Sequence, residues 1–297
     1  MKIVRIVIKE ILLIPLRSLK IAAKLYSTLL SKIKPGFGSY LDDQIANKNK
    51  LPQQITHKLN GGGELKLKVF TPNNWCKLRA DTFSTDPETL EWMDKFGGNG
   101  VLFDIGANVG LISMYYAATK KGNVYAFEPS VFNLAGLAKN IYANNLEGKI
   151  KIVTNPLTDK NQFADFTLQT TEEGGSGSSF GVDYGFGGRP INKSLSYQTL
   201  GFSLDFLMSN GVLAEYPEMI KIDVDGIEHL ILAGAIETLK NPTCKTILIE
   251  VSPTFKQQVE EVSQILKSCG FSRDENPHSG LVENENHFHY NQIWIKS

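Results

Sequence analysis

The chain has 297 residues, 42% hydrophobic and 21% charged, with a formal net charge of zero. That length can bury a large α/β core, and the balance excludes a disordered or wholly membrane-embedded protein. The charge is uneven: residues 1–34 carry eight Lys/Arg against Glu10 alone, so the remainder is acidic, which excludes non-specific nucleic-acid binding.

Residues 1–34 place Lys2, Arg5, Lys9, Arg17, Lys20 and Lys24 on one arc of a helical wheel, with Ile, Leu and Val filling most of the rest. The uncharged stretch before Pro15 falls far short of the ~20 residues that span a bilayer. No small-residue cleavage site marks a signal peptide. Two readings stay open, a basic amphipathic helix on a membrane surface or a helix packed on protein. Residues 35–63, opening on Pro35-Gly36 and ending on a Gly61-Gly62-Gly63 run, read as a linker, and residues 64–297 as the main domain. Within it, residues 64–70 alternate as a strand. Thr85-Asp86-Pro87-Glu88 has capping-box spacing and opens a helix through Leu90, Trp92 and Phe96.

The stretch VLFDIGANVGLISMYYAATKKGNVYAFEP (101–129) organises the rest of the chain. An apolar run ends in Asp104 and a loop with Gly106 and Gly110. Leu111, Met114, Tyr115 and Ala118 then recur at helical spacing, and a second apolar run closes on Glu128-Pro129. This is a nucleotide-binding βαβ pattern. A loop that seats pyrophosphate on a helix N-terminus has no use for a carboxylate beside it. Asp104 instead suits a ligand carrying a sulfonium and an ammonium, S-adenosyl-L-methionine. Gly106 and Gly110 let backbone approach its methionyl part, Asn108 offers an amide, and Glu128 can bridge the ribose hydroxyls.

Downstream, residues 131–144 read as a helix and 149–153 as a strand, with Asn155 just past its end, where an adenine can lie. Residues 163–169 alternate as a strand. Residues 174–190 combine seven glycines with Phe180, Tyr184, Phe186 and Arg189, a composition that suits a lid over substrate. Further strands are expected at 219–224 and 246–251, helices at 227–239 and 255–267, and strands at 271–273 and 290–296. The alternation predicts a doubly wound, mostly parallel α/β sheet with an N-terminal helical extension. Such sheets bind ligands at the carboxyl ends of their strands, where Asp104, Glu128, Asn155 and Asp223 all stand. Cys76, Cys244 and Cys269 form no Cys-x-x-Cys pair, which points to a reducing, cytoplasmic setting without a zinc module. His278, His287 and His289, near Glu283 and Glu285, read as a polar hairpin rather than a metal site.

These motifs resemble the FkbM family of S-adenosylmethionine-dependent methyltransferases. The resemblance rests on DIGANVG (104–110) and AFEP (126–129), with DPETLEW (86–92) upstream and SLD (203–205), KIDVDGIE (221–228) and IEV (249–251) downstream. It covers roughly residues 79–297 in the family's motif order. It implies a Rossmann-like methyltransferase fold and transfer to a hydroxyl oxygen on a sugar, a glycan or another small metabolite. One position departs: Asp225 stands where the family usually has Glu.

Methyl transfer to a hydroxyl is an in-line displacement that needs a proton acceptor. Asp223, Asp225 and Glu228 are the expected catalytic carboxylates, with Asp223 the first choice. Asp223 can equally order the cofactor or cap the helix after Gly226. Two other functions stay open: N-methylation of a protein or small molecule, and a cofactor-binding scaffold without turnover.

Overall fold

The computed structural model describes residues 51–59, 62–82, 87–120, 122–274, 282–284 and 287–297. The basic segment 1–34, with its membrane-surface reading, and most of the linker lie outside the described residues. The compact unit begins at Pro52. Among the described residues, no helix is long and apolar enough to cross a membrane.

Short apolar runs make the centre of the sheet. Strands β3 (Leu102–Ile105), β4 (Val124–Phe127) and β9 (Met219–Ile222) are buried at every residue, as strands covered on both faces must be. With β5 (Ile150–Val153) and β10 (Thr246–Val251) they form five parallel strands in the order β5-β4-β3-β9-β10. Antiparallel β13 (His287–Lys296) lies beside β10 and pairs on its other side with β11 (Phe271–Arg273); β12 (Val282–Asn284) also pairs with β13. Side chains alternate between two cores. Leu102, Val124, Met219 and Leu248 fill one, while Phe103, Tyr125, Ile220 and Ile247 fill the other.

The helices that cover the faces are α1 (Asn74–Thr82), α2 (Pro87–Phe96), α3 (Leu111–Thr119), α4 (Val131–Ala143), α5 (Leu204–Ser209), α6 (Glu228–Ala233), α7 (Ile236–Lys240) and α8 (Lys256–Ser268). From β3 the chain winds outward through β4 and β5, and it returns to the other side of β3 as β9. The order therefore reverses between β3 and β9, which places the crevice at their carboxyl ends.

A second sheet interrupts the winding. Strands β6 (Gln162–Leu168), β7 (Ser178–Phe180) and β8 (Leu195–Gly201) form an antiparallel insert in the order β7-β6-β8. Phe166, Leu168 and Phe180 anchor it in the core. The segment 174–190 is therefore built structure rather than free loop, with β7, a 3-10 turn at Phe186–Gly188 and a bridge between Tyr184 and Pro190.

Other expectations also shift. Gln53–Lys58, inside the expected linker, is a strand (β1) paired with β2 (Glu64–Val69). Helix α1, with Arg79 and Lys77 among few apolar residues, carries no periodicity that would announce it in the sequence. The helix expected over 227–239 is two helices, because the Asp205 carboxylate accepts from Glu237 and Thr238 amides at 2.9 and 2.7 Å and starts α7 afresh. Ser203 in turn caps α5 through Phe206 N–H. The SLD motif thus acts as a pair of helix caps.

Candidate active site

Two charged residues lie where the sheet is driest. Asp104 on β3 pairs in register with Lys221 on β9, and both are buried. Their charges are compensated locally: Ser113 Oγ of α3 donates to Asp104 Oδ2 at 2.6 Å, and Lys221 Nζ stands 3.9 Å from Asp104 Oδ1 and 2.9 Å from Asp223 Oδ2. Burial raises the Asp104 pKa, against the pull of Lys221. Its Oδ1 has no hydrogen-bond partner among the described residues.

The loop after β3 is fixed by backbone geometry. Gly106 has φ 88°, and a side chain there would collide with the Asp223 carbonyl; a side chain at Gly110 would meet Leu137. The missing side chains thus admit the β9 turn at Gly106 and α4 at Gly110. Asn108 takes φ 53°, which Asn tolerates among side-chain-bearing residues. Its N–H donates to Glu128 Oε2 at 2.9 Å, while Ser130 N–H donates to Oε1 at 2.8 Å. Glu128 is thereby held by two backbone amides, with the Asn133 side chain as a further partner. Burial pushes its pKa up to about 7, against these hydrogen bonds.

The turn after β9 carries the three carboxylates expected to be catalytic, and the structure separates them. Asp223 opens to the crevice with 43% of its side chain exposed. Burial acts to raise its pKa, but the Lys221 ammonium overrides this and holds it below the ordinary value. Asp225, at φ 65°, points its Oδ2 at the insert, accepting from Gly177 and Ser178 N–H at 2.7 and 3.3 Å. Glu228 is buried beneath the turn and does not line the cleft. Its Oε1 accepts from Val224 and Gly226 amides, and its Oε2 from Gln258. Glu228 therefore shapes the turn instead of reaching substrate, a correction to the expected catalytic set.

A cleft of about 680 Å³ collects the rest, a volume typical of small-molecule sites. Asp104, Gly106, Asn108, Glu128, Pro129, Asp223 and Asp225 line it. Gly110, the residue before α3, is not among the lining residues. Asn155 is not among the lining residues. It faces a separate void of about 30 Å³, and its amide donates to Leu200 O. The cleft also contains Phe186, from the segment expected to cover substrate, and residues to which sequence reasoning gave no role there: Lys221, Glu250 at the end of β10, His289 on β13, and Trp75 and Arg79 of α1. Glu250 Oε1 lies 3.5 Å from His289 Nε2. Burial first, then the Asp223, Glu228 and Asp225 charges, raise the Glu250 pKa well above the ordinary carboxylate value.

The methyltransferase FkbM domain model matches residues 104–273, more than half of the chain. The chain belongs to the FkbM methyltransferase family. Among solved structures, an FkbM methyltransferase from Methylobacillus flagellatus KT is 11% identical over 75% of this chain and 55% of its own, with TM-score 0.42. The magnesium protoporphyrin IX methyltransferase of Synechocystis PCC 6803, solved with bound SAM, is 13% identical over 76% of this chain and 85% of its own, with TM-score 0.45. A putative tRNA (m1A22) methyltransferase of Streptococcus pneumoniae, in complex with S-adenosyl-L-methionine, is 11% identical over 71% and 73%, with TM-score 0.43. These likenesses say nothing of the acceptor. No curated protein matches the chain.

As a member of that family the enzyme uses S-adenosylmethionine, and the donor side of the cleft fits it. The orphaned Asp104 Oδ1 is a buried acceptor inside the cleft lining, suited to a cationic ligand. Glu128, oriented by two amides, lines the cleft with a carboxylate, a group suited to accept from the hydroxyls of a diol. Neither residue would welcome a phosphate.

Proposed function

We propose that this methyltransferase modifies a hydroxyl oxygen on an uncharged sugar, glycan or other small metabolite. The observation that carries the reading is the carboxylate pair, Asp223 and Glu250, on the acceptor side of the cleft. The bound donor supplies an electrophilic methyl group on a sulfonium. Hydroxyl oxygen must lose a proton as it takes the methyl, so a carboxylate within reach is the group the chemistry needs. Lys221 keeps Asp223 ionised and ready to accept, while Glu250 is the more basic partner. The Asp223 charge is one of the causes that raise the Glu250 pKa.

Among the described residues, five carboxylates line this cleft against Lys221 and Arg79. That balance argues against a polyanion in the acceptor position, which favours a neutral acceptor over nucleic acid. Trp75, 40% exposed, and Phe186 add aromatic faces on which a sugar ring can lie.

The test is to incubate the enzyme with radiolabelled S-adenosylmethionine and separate fractions of neutral saccharides, protein and RNA. Label is expected in the neutral hydroxyl-bearing fraction as an alkali-stable ether. Label in RNA or on protein nitrogen would overturn the reading. Donor binding without turnover on any fraction would favour a scaffold.

A further inference from the structure

The segment 173–178 crosses the crevice and is fastened on both banks. On the donor bank, Asn133 Oδ1 accepts from Gly174 N–H at 2.8 Å, and the Asn133 and Asn108 amides donate to Gly175 O at 3.1 and 3.0 Å. Outside it, α1 adds Cys76 Sγ to Glu173 O at 3.2 Å. At the foot of β6, Gln169 N–H donates to Gly177 O at 2.9 Å. On the acceptor bank the side-chain hold is Asp225, through the amides of Gly177 and Ser178. Gly175, Ser176, Gly177 and Ser178 line the same cleft as Asp104 and Glu128. Gly174 and Gly177 have φ 80° and 83°, so the strap needs glycine to make its two bends.

We infer that Asp225 is a positioning residue, the latch that closes the strap 174–178 over the methyl donor, and that the donor leaves by release of this latch. Three features converge on it. The residue adopts a left-handed backbone conformation that turns its carboxylate away from the β9 strand direction and onto the strap. Both strap amides it accepts share one carboxylate oxygen, a charge-assisted hold. The donor-bank asparagines belong to the cofactor loop and α4, so with Asp225 gone the strap keeps its hinges there and at β6 but loses its grip on the β9 turn.

The experiment follows S-adenosylhomocysteine, the product form of the donor, by stopped-flow binding, together with hydrogen exchange read peptide by peptide. Asp225→Gly keeps the left-handed backbone at no steric cost and removes the latch. Its S-adenosylhomocysteine dissociation rate should rise about tenfold or more, the scale of two lost hydrogen bonds to a charged group. Exchange in 174–178 should accelerate, while β3 and β4 keep wild-type protection. Asp225→Asn, which retains one accepting oxygen, should fall between the two. Wild-type release and exchange in Asp225→Gly would overturn the inference. So would faster release with an unchanged strap, since Asp225 would then touch the donor itself, and so would loss of protection throughout the fold.

Discussion

On the proposed function, the donor wall of the cleft comes from residues 104–133, strand β3, its loop, α3, β4 and the start of α4 in unbroken order, whereas the acceptor wall is gathered from α1, the insert, the β9 turn, Glu250 and His289. The donor wall meets a ligand common to the whole family, so a contiguous motif can encode it. An acceptor that varies is met by side chains from many elements, and no short motif records them. Lys221 belongs to both walls, because it bridges Asp104 and Asp223.

Lys221 is therefore the place to break the comparison with the largest effect. Lys221→Met should leave two carboxylates facing each other in the sheet without their shared cation. Removing one partner of a buried pair costs about 3–5 kcal/mol. Urea unfolding should read a loss of that order, and the midpoint should recover as pH falls and the carboxylates protonate. An unchanged midpoint would mean that the two walls are electrostatically independent.

The next effect sharpens the donor side. The Glu128 pKa is raised by burial to about 7 in the fold, from 4.5. The folded state therefore holds a proton that the unfolded state has lost, and this residue's contribution to stability falls as pH rises from 4.5 through about 7. Donor binding runs the other way. Ribose hydroxyls donate to the ionised carboxylate, so S-adenosylhomocysteine affinity should rise with pH up to about 7, and binding below that pH should release a proton. Calorimetry in buffers of different ionisation enthalpy reads the release directly, and Glu128→Gln should remove the part of it that belongs to Glu128. Glu228, also raised to about 7, lies outside the cleft and should contribute nothing to it.

The smallest effect concerns Asn155. Its amide holds Leu200 O beside a void apart from the cleft. Asn155→Ala should leave S-adenosylhomocysteine affinity within about 0.5 kcal/mol of wild type, the range of substitutions away from a site. A tenfold loss by calorimetry would put the adenine beside Asn155 after all, as the sequence suggests.

The same contrast explains which residues could be read from the sequence. The parallel strands, the glycine loop, Asp104 and Glu128 follow from apolar runs, loop chemistry and the acidic strand tips, all local signals. Lys221 carries no such signal: in MIKID it looks like a solvent-facing lysine, and only the β3–β9 register buries it against Asp104. Glu250 and His289 are distant in sequence and meet through antiparallel pairing of β10 with β13. Glu228 misled because its spacing from Asp223 suggested one crevice, while the left-handed turn at Asp225 and the helix beyond it send it beneath the surface. The insert was partly readable, since its glycines marked a segment at the site, yet Phe180 in the core and the Asp225 hold needed the three-dimensional pairing.

On the function proposed above, the two walls divide the labour, with Glu128 holding the donor and Asp223 serving the acceptor. Calorimetry of S-adenosylhomocysteine on Glu128→Gln and Asp223→Asn tests this division most directly. Glu128→Gln should lose roughly tenfold or more in affinity, the scale of charge-assisted hydrogen bonds, while Asp223→Asn should stay within a few-fold of wild type. The reverse result, with Asp223→Asn losing the ligand and Glu128→Gln keeping it, would contradict the division.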